Sequence, residues 1–152
     1  IHNTYSPIHS SLTLSIKPEK LPETMRSKAL LVLIDEQGKE TTVKSSKYDT
    51  GFVSGSIREF GNYAVSTDTM PPEINLVESN RSVIKIKIKD NLSGIKSYRP
   101  LLDGKWILME YDAKSNMLTH VFEKPKSGEK YTFTLIVEYN KNNISEYKTE
   151  IR

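Results

Sequence analysis

Period-two alternation of apolar and polar residues is the feature that most constrains how this chain folds. Residues 131–139 alternate in this way over most of their length, and residues 84–89 alternate isoleucine with lysine. Successive side chains of a strand point to opposite faces, so each run has one apolar face and one polar face. Residues 29–34 are apolar at every position, which is typical of a strand covered on both sides or central in a sheet. The pattern predicts an all-β protein.

Turn and linker signals divide the chain between these runs. Asp103-Gly104 joins two strand-like runs, and this is a strong hairpin signal because both central residues of the turn need positive φ. Gly104 therefore has a predicted structural role. Pro71 and Pro72 remove two backbone donors, so a paired strand cannot run through them. We interpret this segment as a linker between a domain at residues 1–68 and a second at 69–152.

The number of predicted strands differs between the two domains. The second domain is predicted to be an immunoglobulin-like or fibronectin-III-like sandwich of seven strands, at residues 73–78, 82–89, 95–102, 105–111, 117–122, 131–139 and 144–151. The first is predicted to be a smaller body, either barrel-like or a truncated sandwich, with strands at residues 11–17, 29–35, 39–44, 52–57 and 62–67. Residues 22–27 are predicted to form one helical turn that serves as a connector. The predicted fold class is therefore two small β-sandwich domains in tandem.

One tyrosine has a predicted structural role in the second domain. Tyr131 opens a strong strand just after Ser127-Gly128. This placement resembles a tyrosine corner, in which the hydroxyl bonds back to backbone a few residues upstream.

Composition excludes several classes of protein. The chain has no cysteine, so disulfides and thiolate zinc sites are excluded. The net charge is +3 and basic residues are interspersed with carboxylates, whereas nucleic-acid binders concentrate basic charge in one stripe. No apolar run approaches the roughly 20 residues of a membrane-spanning helix. The chain begins at Ile1 without a signal segment, so we expect it to be a piece of a longer protein.

The residues that carry catalytic or metal chemistry elsewhere are scattered here. His2 and His9 lie near the start and His120 in a strand of the other domain, whereas a zinc site needs histidines that converge on one ion. Asp90-Asn91 and the segment 112–116 offer oxygen ligands for calcium, but the same residue types are common in turns. No nucleophile elbow or phosphate-binding loop is present. We predict no catalytic constellation, no metal and no cofactor.

Two features are candidates for a ligand surface. Lys85, Lys87 and Lys89 line one strand face. They are either a contact for an anionic polymer such as wall glycan or lipid headgroups, or a solvated face, or lysines that guard a sheet edge against aggregation. Trp106 follows the hairpin turn and is either an exposed platform for stacking on sugars or a core residue. We favour a solvated face or an edge role over ligand contact for the lysines, and the core for the tryptophan.

Several segments together resemble a known family. They are residues 21–23 with 28–32, 60–65, 68–74, 90–98, 103–112 and 128–143. The most specific parts are Asp90-Asn91-Leu92-Ser93-Gly94-Ile95 and Asp103-Gly104-Lys105-Trp106. The chain resembles the non-catalytic C-terminal tail of bacterial lysostaphin-like zinc endopeptidases, which hydrolyse peptidoglycan. The His-x-His and His-x-x-x-Asp motifs that bind zinc in those enzymes are absent here. The resemblance therefore implies a tail without catalytic residues.

Two hypotheses about function follow. The first is a non-catalytic accessory, binding or scaffolding module of a larger exported cell-wall peptidase. Its partners would be the upstream catalytic domain or the glycan and peptide of the wall, and its location the periplasm or the cell surface. The alternative is a surface or adhesion array of Ig-like domains unrelated to peptidase activity. The sequence upstream of Ile1 discriminates between them.

Overall fold

The computed structural model describes residues 8–89, 92–124 and 130–151, and these form an all-β protein. The chain divides into two compact units, Ile1–Thr69 and Met70–Arg152. Within the described residues the only helical segment is a 3₁₀ helix, Glu23–Lys28, which overlaps the predicted helical turn at residues 22–27. No described helix is long and apolar enough to cross a membrane.

The first unit is built from two three-stranded antiparallel sheets. Its strands are β1 (Leu12–Ile16), β2 (Ala29–Ile34), β3 (Glu40–Thr42), β4 (Lys47–Asp49), β5 (Phe52–Ile57) and β6 (Asn62–Thr67). One sheet has the order β1-β5-β4 and the other β3-β2-β6. The short polar strand β4 was not predicted, because its Lys-Tyr-Asp sequence has no apolar periodicity to detect.

Strand β2 supplies much of the core of the first unit. Its first four residues, Ala29 to Val32, are fully buried, and β2 lies between β3 and β6 in its sheet. Two further hydrogen bonds continue the pairing of β2 beyond the residues of β3. The Leu31 N–H donates to Ser46 Oγ (3.0 Å), and the Val43 N–H donates to the Leu31 carbonyl (2.9 Å). This continuous apolar strand is therefore paired on both edges, as buried backbone groups require.

The second unit is a sandwich of two four-stranded antiparallel sheets. Its strands are β7 (Glu73–Ser79), β8 (Val83–Lys89), β9 (Ile95–Leu102), β10 (Lys105–Trp106), β11 (Glu110–Asp112), β12 (Met117–Val121), β13 (Tyr131–Tyr139) and β14 (Ile144–Ile151). The sheet orders are β11-β12-β8-β7, the first sheet, and β10-β9-β13-β14, the second sheet. The core between them contains the apolar side of the predicted alternation: Ile84, Ile86, Ile88, Leu102, Met109, Leu118, Phe133, Leu135, Val137, Tyr139 and Ile151.

One predicted strand is wrong in its extent. Residues 105–111 were expected to form a single strand, but they are split between β10 in the second sheet and β11 in the first. The crossing at residues 107–109 buries Met109, which is 2% exposed, and leaves Leu108 exposed. Met109 belongs to the core cluster to which strands of both sheets contribute.

Candidate binding surface

The hairpin between β9 and β10 fixes one edge of the second sheet. Asp103 and Gly104 have φ angles of 50° and 77°, as a two-residue turn of this type requires. The Asp103 N–H donates to the Thr132 carbonyl (2.8 Å), and the Thr132 N–H donates to Asp103 Oδ1 (2.8 Å). The turn is therefore bonded to the neighbouring strand β13 as well as closing its own hairpin.

Trp106 is an exposed residue at this edge, and the preference for a core position is wrong. Its side chain is 61% exposed, because β10 is a two-residue edge strand that the chain leaves directly after Trp106. Trp106 pairs with Leu101 of β9, and the neighbouring Leu102 is buried in the core. Alternation then places Trp106 and Leu101 on the outer face of the second sheet.

Register places two cations on the same outer face as Trp106. Leu101 pairs with Thr134, and Thr134 pairs with Lys148, so Trp106 and Lys148 share a row across four strands. Three strand spacings separate them by about 14 Å. Arg99 lies two residues before Leu101 on β9, about 7 Å along the same face. Both cations are exposed.

Ion pairs occupy other charges of this sheet but not these two. Lys96 Nζ lies 2.7 Å from Glu138 Oε1 and Lys130 Nζ lies 3.1 Å from Glu150 Oε2. The hydrogen bond from Lys96 holds the pKa of Glu138 below its usual range. Among the described residues, neither the Arg99 nor the Lys148 side chain has a hydrogen bond or an ion pair. These two cations are therefore available to a ligand.

Lys85, Lys87 and Lys89 lie on the outer face of the first sheet. Their strand β8 is paired with β12 and β7 on its two sides, so the alternative that they guard a sheet edge is wrong. Lys85 Nζ lies 2.8 Å from Glu78 Oε2, and the hydrogen bond from Lys85 lowers the pKa of Glu78.

Lys85, Lys87 and Lys89, the lysine column, also lie beside polar and acidic residues of strand β7. Lys89 pairs with Glu73 and Lys87 with Asn75 across the β7–β8 ladder. Acidic and polar residues are thus interleaved with these lysines, which makes the column a mixed surface.

The described residues that were considered as metal ligands have structural contacts. His120 Nδ1 lies 2.7 Å from the Leu108 carbonyl, and its ring packs edge-on against Phe122. Asp112 closes its own turn, where Oδ2 accepts from the Ser115 hydroxyl (2.6 Å) and Oδ1 from the Lys114 N–H (3.0 Å). The Ser115 bond is the main cause of the lowered pKa of Asp112.

The other candidate ligands belong to the first unit or lie outside the described residues. His9 is exposed in the first unit, whereas His120 belongs to the second. His2, Asp90 and Asn91 lie outside the described residues.

The predicted linker prolines precede the first strand of the second unit. Pro71 and Pro72 lie between β6 and β7, and the Pro72 carbonyl accepts from the Ser145 hydroxyl (2.8 Å).

The Tyr131 ring packs against the core of the second unit. Ser127-Gly128 lies outside the described residues, so a corner role for Tyr131 stays a prediction.

A bond of the corner type is present in the first unit at a residue that sequence reasoning missed. Tyr63 Oη donates to the Glu59 carbonyl four residues upstream (2.9 Å). Burial, and secondly the charge of Glu59, raise the pKa of Tyr63. The signal in the sequence was its position at the start of a strand, directly after Gly61-Asn62.

Arg99, Lys148 and Leu108 were also missed as surface residues. Arg99 and Lys148 are polar positions within two of the predicted strands, at residues 95–102 and 144–151. Their proximity to Trp106 depends on strand register, which alternation within one strand does not specify. Leu108 is 63% exposed because it lies at the crossing between sheets.

Comparisons with known proteins give two likenesses. Residues 1–68 match the family model described as a Zu5-like domain, a range that agrees with the first compact unit to within one residue. The chain also resembles the crystal structure of the apo form of a Clavibacter michiganensis expansin, at 11% identity and a TM-score of 0.42. That likeness covers 82% of this chain and 68% of the expansin chain. No curated protein matches the chain.

Proposed function

We propose that this chain is a non-catalytic accessory module of a larger exported bacterial protein, and that it attaches that protein to the cell wall. The observation that carries the proposal is Trp106, a large aromatic side chain that is 61% exposed. It lies on a hairpin whose turn is hydrogen-bonded to the neighbouring strand β13. Exposed aromatic residues held on rigid elements are typical of binding surfaces, because they bury much area at little cost in conformational entropy.

The topology of the second unit supports an immunoglobulin-like module. In the usual lettering, β7-β8-β12-β11 corresponds to the order A-B-E-D, and β9-β13-β14 to C-F-G with β10 added at the edge. Domains of this architecture occur in many unrelated proteins and commonly serve as binding or spacing units. The type of fold therefore supports a module but does not select its ligand.

The parent protein proposed here is a cell-wall peptidase of the lysostaphin-like class, with its catalytic domain upstream of Ile1. The support is the sequence resemblance of the Asp-Asn-Leu-Ser-Gly-Ile and Asp-Gly-Lys-Trp segments, together with the absence of the two zinc-binding motifs from this sequence. The module would act outside the cytoplasm, where that substrate is found.

Sedimentation with purified cell walls tests the proposal. The chain is expected to co-sediment with walls, and Trp106→Ala is expected to lose most of that binding. Phe52→Ala is the matched control, because it removes an exposed aromatic ring, 41% exposed, from the first unit. Absence of wall binding by the intact chain, or equal loss in both variants, contradicts the proposal.

A further inference from the structure

We infer that the outer face of the second sheet binds an acidic glycan, a polysaccharide whose sugar rings carry carboxylates. This inference rests on the proposed function and deepens it by naming the ligand class. This surface, the Trp106 face, consists of Trp106, Arg99 and Lys148, with Leu101, Thr134 and Ile136 between them.

The first argument is the combination of chemistry on the Trp106 face. An indole offers an apolar plane against which the C–H face of a sugar ring packs, and its exposure leaves that plane open to solvent. Arg99 presents a planar guanidinium that matches a carboxylate in two hydrogen bonds. Lys148 adds a second cation in the same row as the indole. An exposed aromatic plane and two nearby cations together favour a ligand that has sugar rings and negative charge.

The second argument is spacing. Trp106 and Lys148 lie about 14 Å apart, and Arg99 lies about 7 Å along the strand from the Trp106 row. A single small anion cannot touch all three positions, whereas an extended chain of sugars lying across the strands can. The paired strands hold the three residues in fixed register, so the polymer meets a surface that needs little reorganisation.

The third argument is the contrast with the lysine column of the first sheet. There Lys85 is already bonded to Glu78 at 2.8 Å, and Lys89 is paired across the strands with Glu73. A polyanion would have to compete with these carboxylates, and no aromatic residue lies in the β7, β8 or β12 segments that form that part of the sheet, apart from His120. Charge count in the sequence favours the lysine column, whereas available charge favours the Trp106 face.

Glu146 lies on the same outer face as the Trp106 face, and its carboxylate opposes an acidic ligand. Glu138 and Glu150 also lie on this outer face, where they are ion-paired with Lys96 and Lys130. Glu146 lies two residues before Lys148 on β14 and pairs with Ile136, so its side chain points to the same outer face. It is exposed and has no ion pair among the described residues. Its repulsion makes a signed prediction, because removing its charge should strengthen binding of a polyanion and not of a neutral polymer.

The experiment measures binding of the full chain to hyaluronate, an acidic glycan, and to dextran, a neutral one, by affinity electrophoresis at low ionic strength. Trp106→Ala is expected to weaken hyaluronate binding about tenfold, since an aromatic contact of that size is worth about 1.4 kcal/mol. The pair Arg99→Gln with Lys148→Gln is expected to weaken it about five- to tenfold. Glu146→Gln is expected to strengthen it.

The matched control removes two positive charges from the other sheet. Lys87→Gln with Lys89→Gln changes the net charge by the same amount, so it separates a local contact from a general charge effect, and it is expected to change affinity less than about twofold. Circular dichroism of each variant verifies that the sheets are intact. Equal affinity for dextran, or equal weakening by the control pair, overturns the inference. Retained Trp106-dependent binding to walls without binding to hyaluronate overturns it too, while leaving the proposed function in place.

Discussion

Single residues in this chain show where packing leaves no free space. Gly55 lies on β5, and a Cβ added there would lie 2.9 Å from Val43 Cγ1 and 3.3 Å from Leu31 Cδ1. The first distance is shorter than any ordinary contact between carbon atoms, so the Val43 side chain has to shift to admit a methyl group. The glycine therefore allows the two sheets of the first unit to approach each other.

We predict that Gly55→Ala lowers the free energy of unfolding by about 1–3 kcal/mol, the usual cost of overpacking. Urea denaturation measures it. Val43→Ala alone should also destabilise the protein, but combining it with Gly55→Ala should recover part of the loss, because the contracted side chain makes room for the new methyl group. Simple additivity of the two changes would show that Val43 is not the obstacle.

A second residue-scale prediction concerns pH. The hydrogen bond from Lys96 lowers the pKa of Glu138 in the folded protein, so the ionised form is favoured by folding. Its contribution to stability is present above the ordinary glutamate pKa of about 4.3 and is lost as the pH falls through the lower folded value. The melting temperature of the wild type should exceed that of Glu138→Gln at neutral pH, and the gap should close in acid. Lys96→Gln should give the same profile, and a gap that stays constant with pH would contradict the assignment.

At the scale of elements, the Asp103-Gly104 hairpin shows how a turn residue stabilises a neighbouring strand. The Asp103 carboxylate accepts the N–H of Thr132 at the start of β13, and its backbone has positive φ. Asparagine has an equivalent oxygen and tolerates that backbone region, whereas alanine has neither property. The hairpin therefore depends on an oxygen at this position more than on its charge.

We predict that Asp103→Ala lowers the free energy of unfolding by about 1–3 kcal/mol, because it removes a hydrogen bond and places alanine at a positive φ. Asp103→Asn should cost clearly less. Chemical denaturation of both variants, with Trp106 fluorescence as a local probe of the hairpin, measures the difference. Equal losses in the two variants would mean that the negative charge, and not the hydrogen bond, matters.

The elements also show what the sequence can and cannot predict. The all-β class was predictable because alternation reports burial directly, as in β8 and β13, and the Asp-Gly turn was predictable because few residue pairs allow its dihedral angles. The split of residues 105–111 was not, since alternation continues unchanged through a strand that crosses between sheets. The Trp106 face was not predictable either, because it depends on the pairing of β9, β13 and β14 over long sequence separations. Local patterns therefore predict faces, whereas long-range register determines which faces share a surface.

At the scale of the whole molecule, each unit has its own sheets and its own core. The buried cluster of the second unit consists of residues from both of its sheets, and the first unit has a separate cluster around Ala29, Leu31 and Val53. The Pro72 carbonyl bonds to Ser145 near the start of β14, so the segment before β7 is fastened within the second unit. A unit that has its own buried core, and whose first segment is hydrogen-bonded to one of its own strands, has the usual features of an independent domain.

We predict that residues 70–152 expressed alone fold cooperatively and retain the Trp106 face. The expected results are a single thermal transition, dispersed amide resonances in a nuclear magnetic resonance spectrum, and hyaluronate affinity within about twofold of the full chain. Leu135→Ala in the same fragment is the control, because removing a fully buried side chain should cost about 2–5 kcal/mol and abolish or strongly lower the transition. A collapsed spectrum for the unsubstituted fragment would show that the second core needs the first unit, and loss of binding in a well-folded fragment would show that the ligand also contacts residues before Met70.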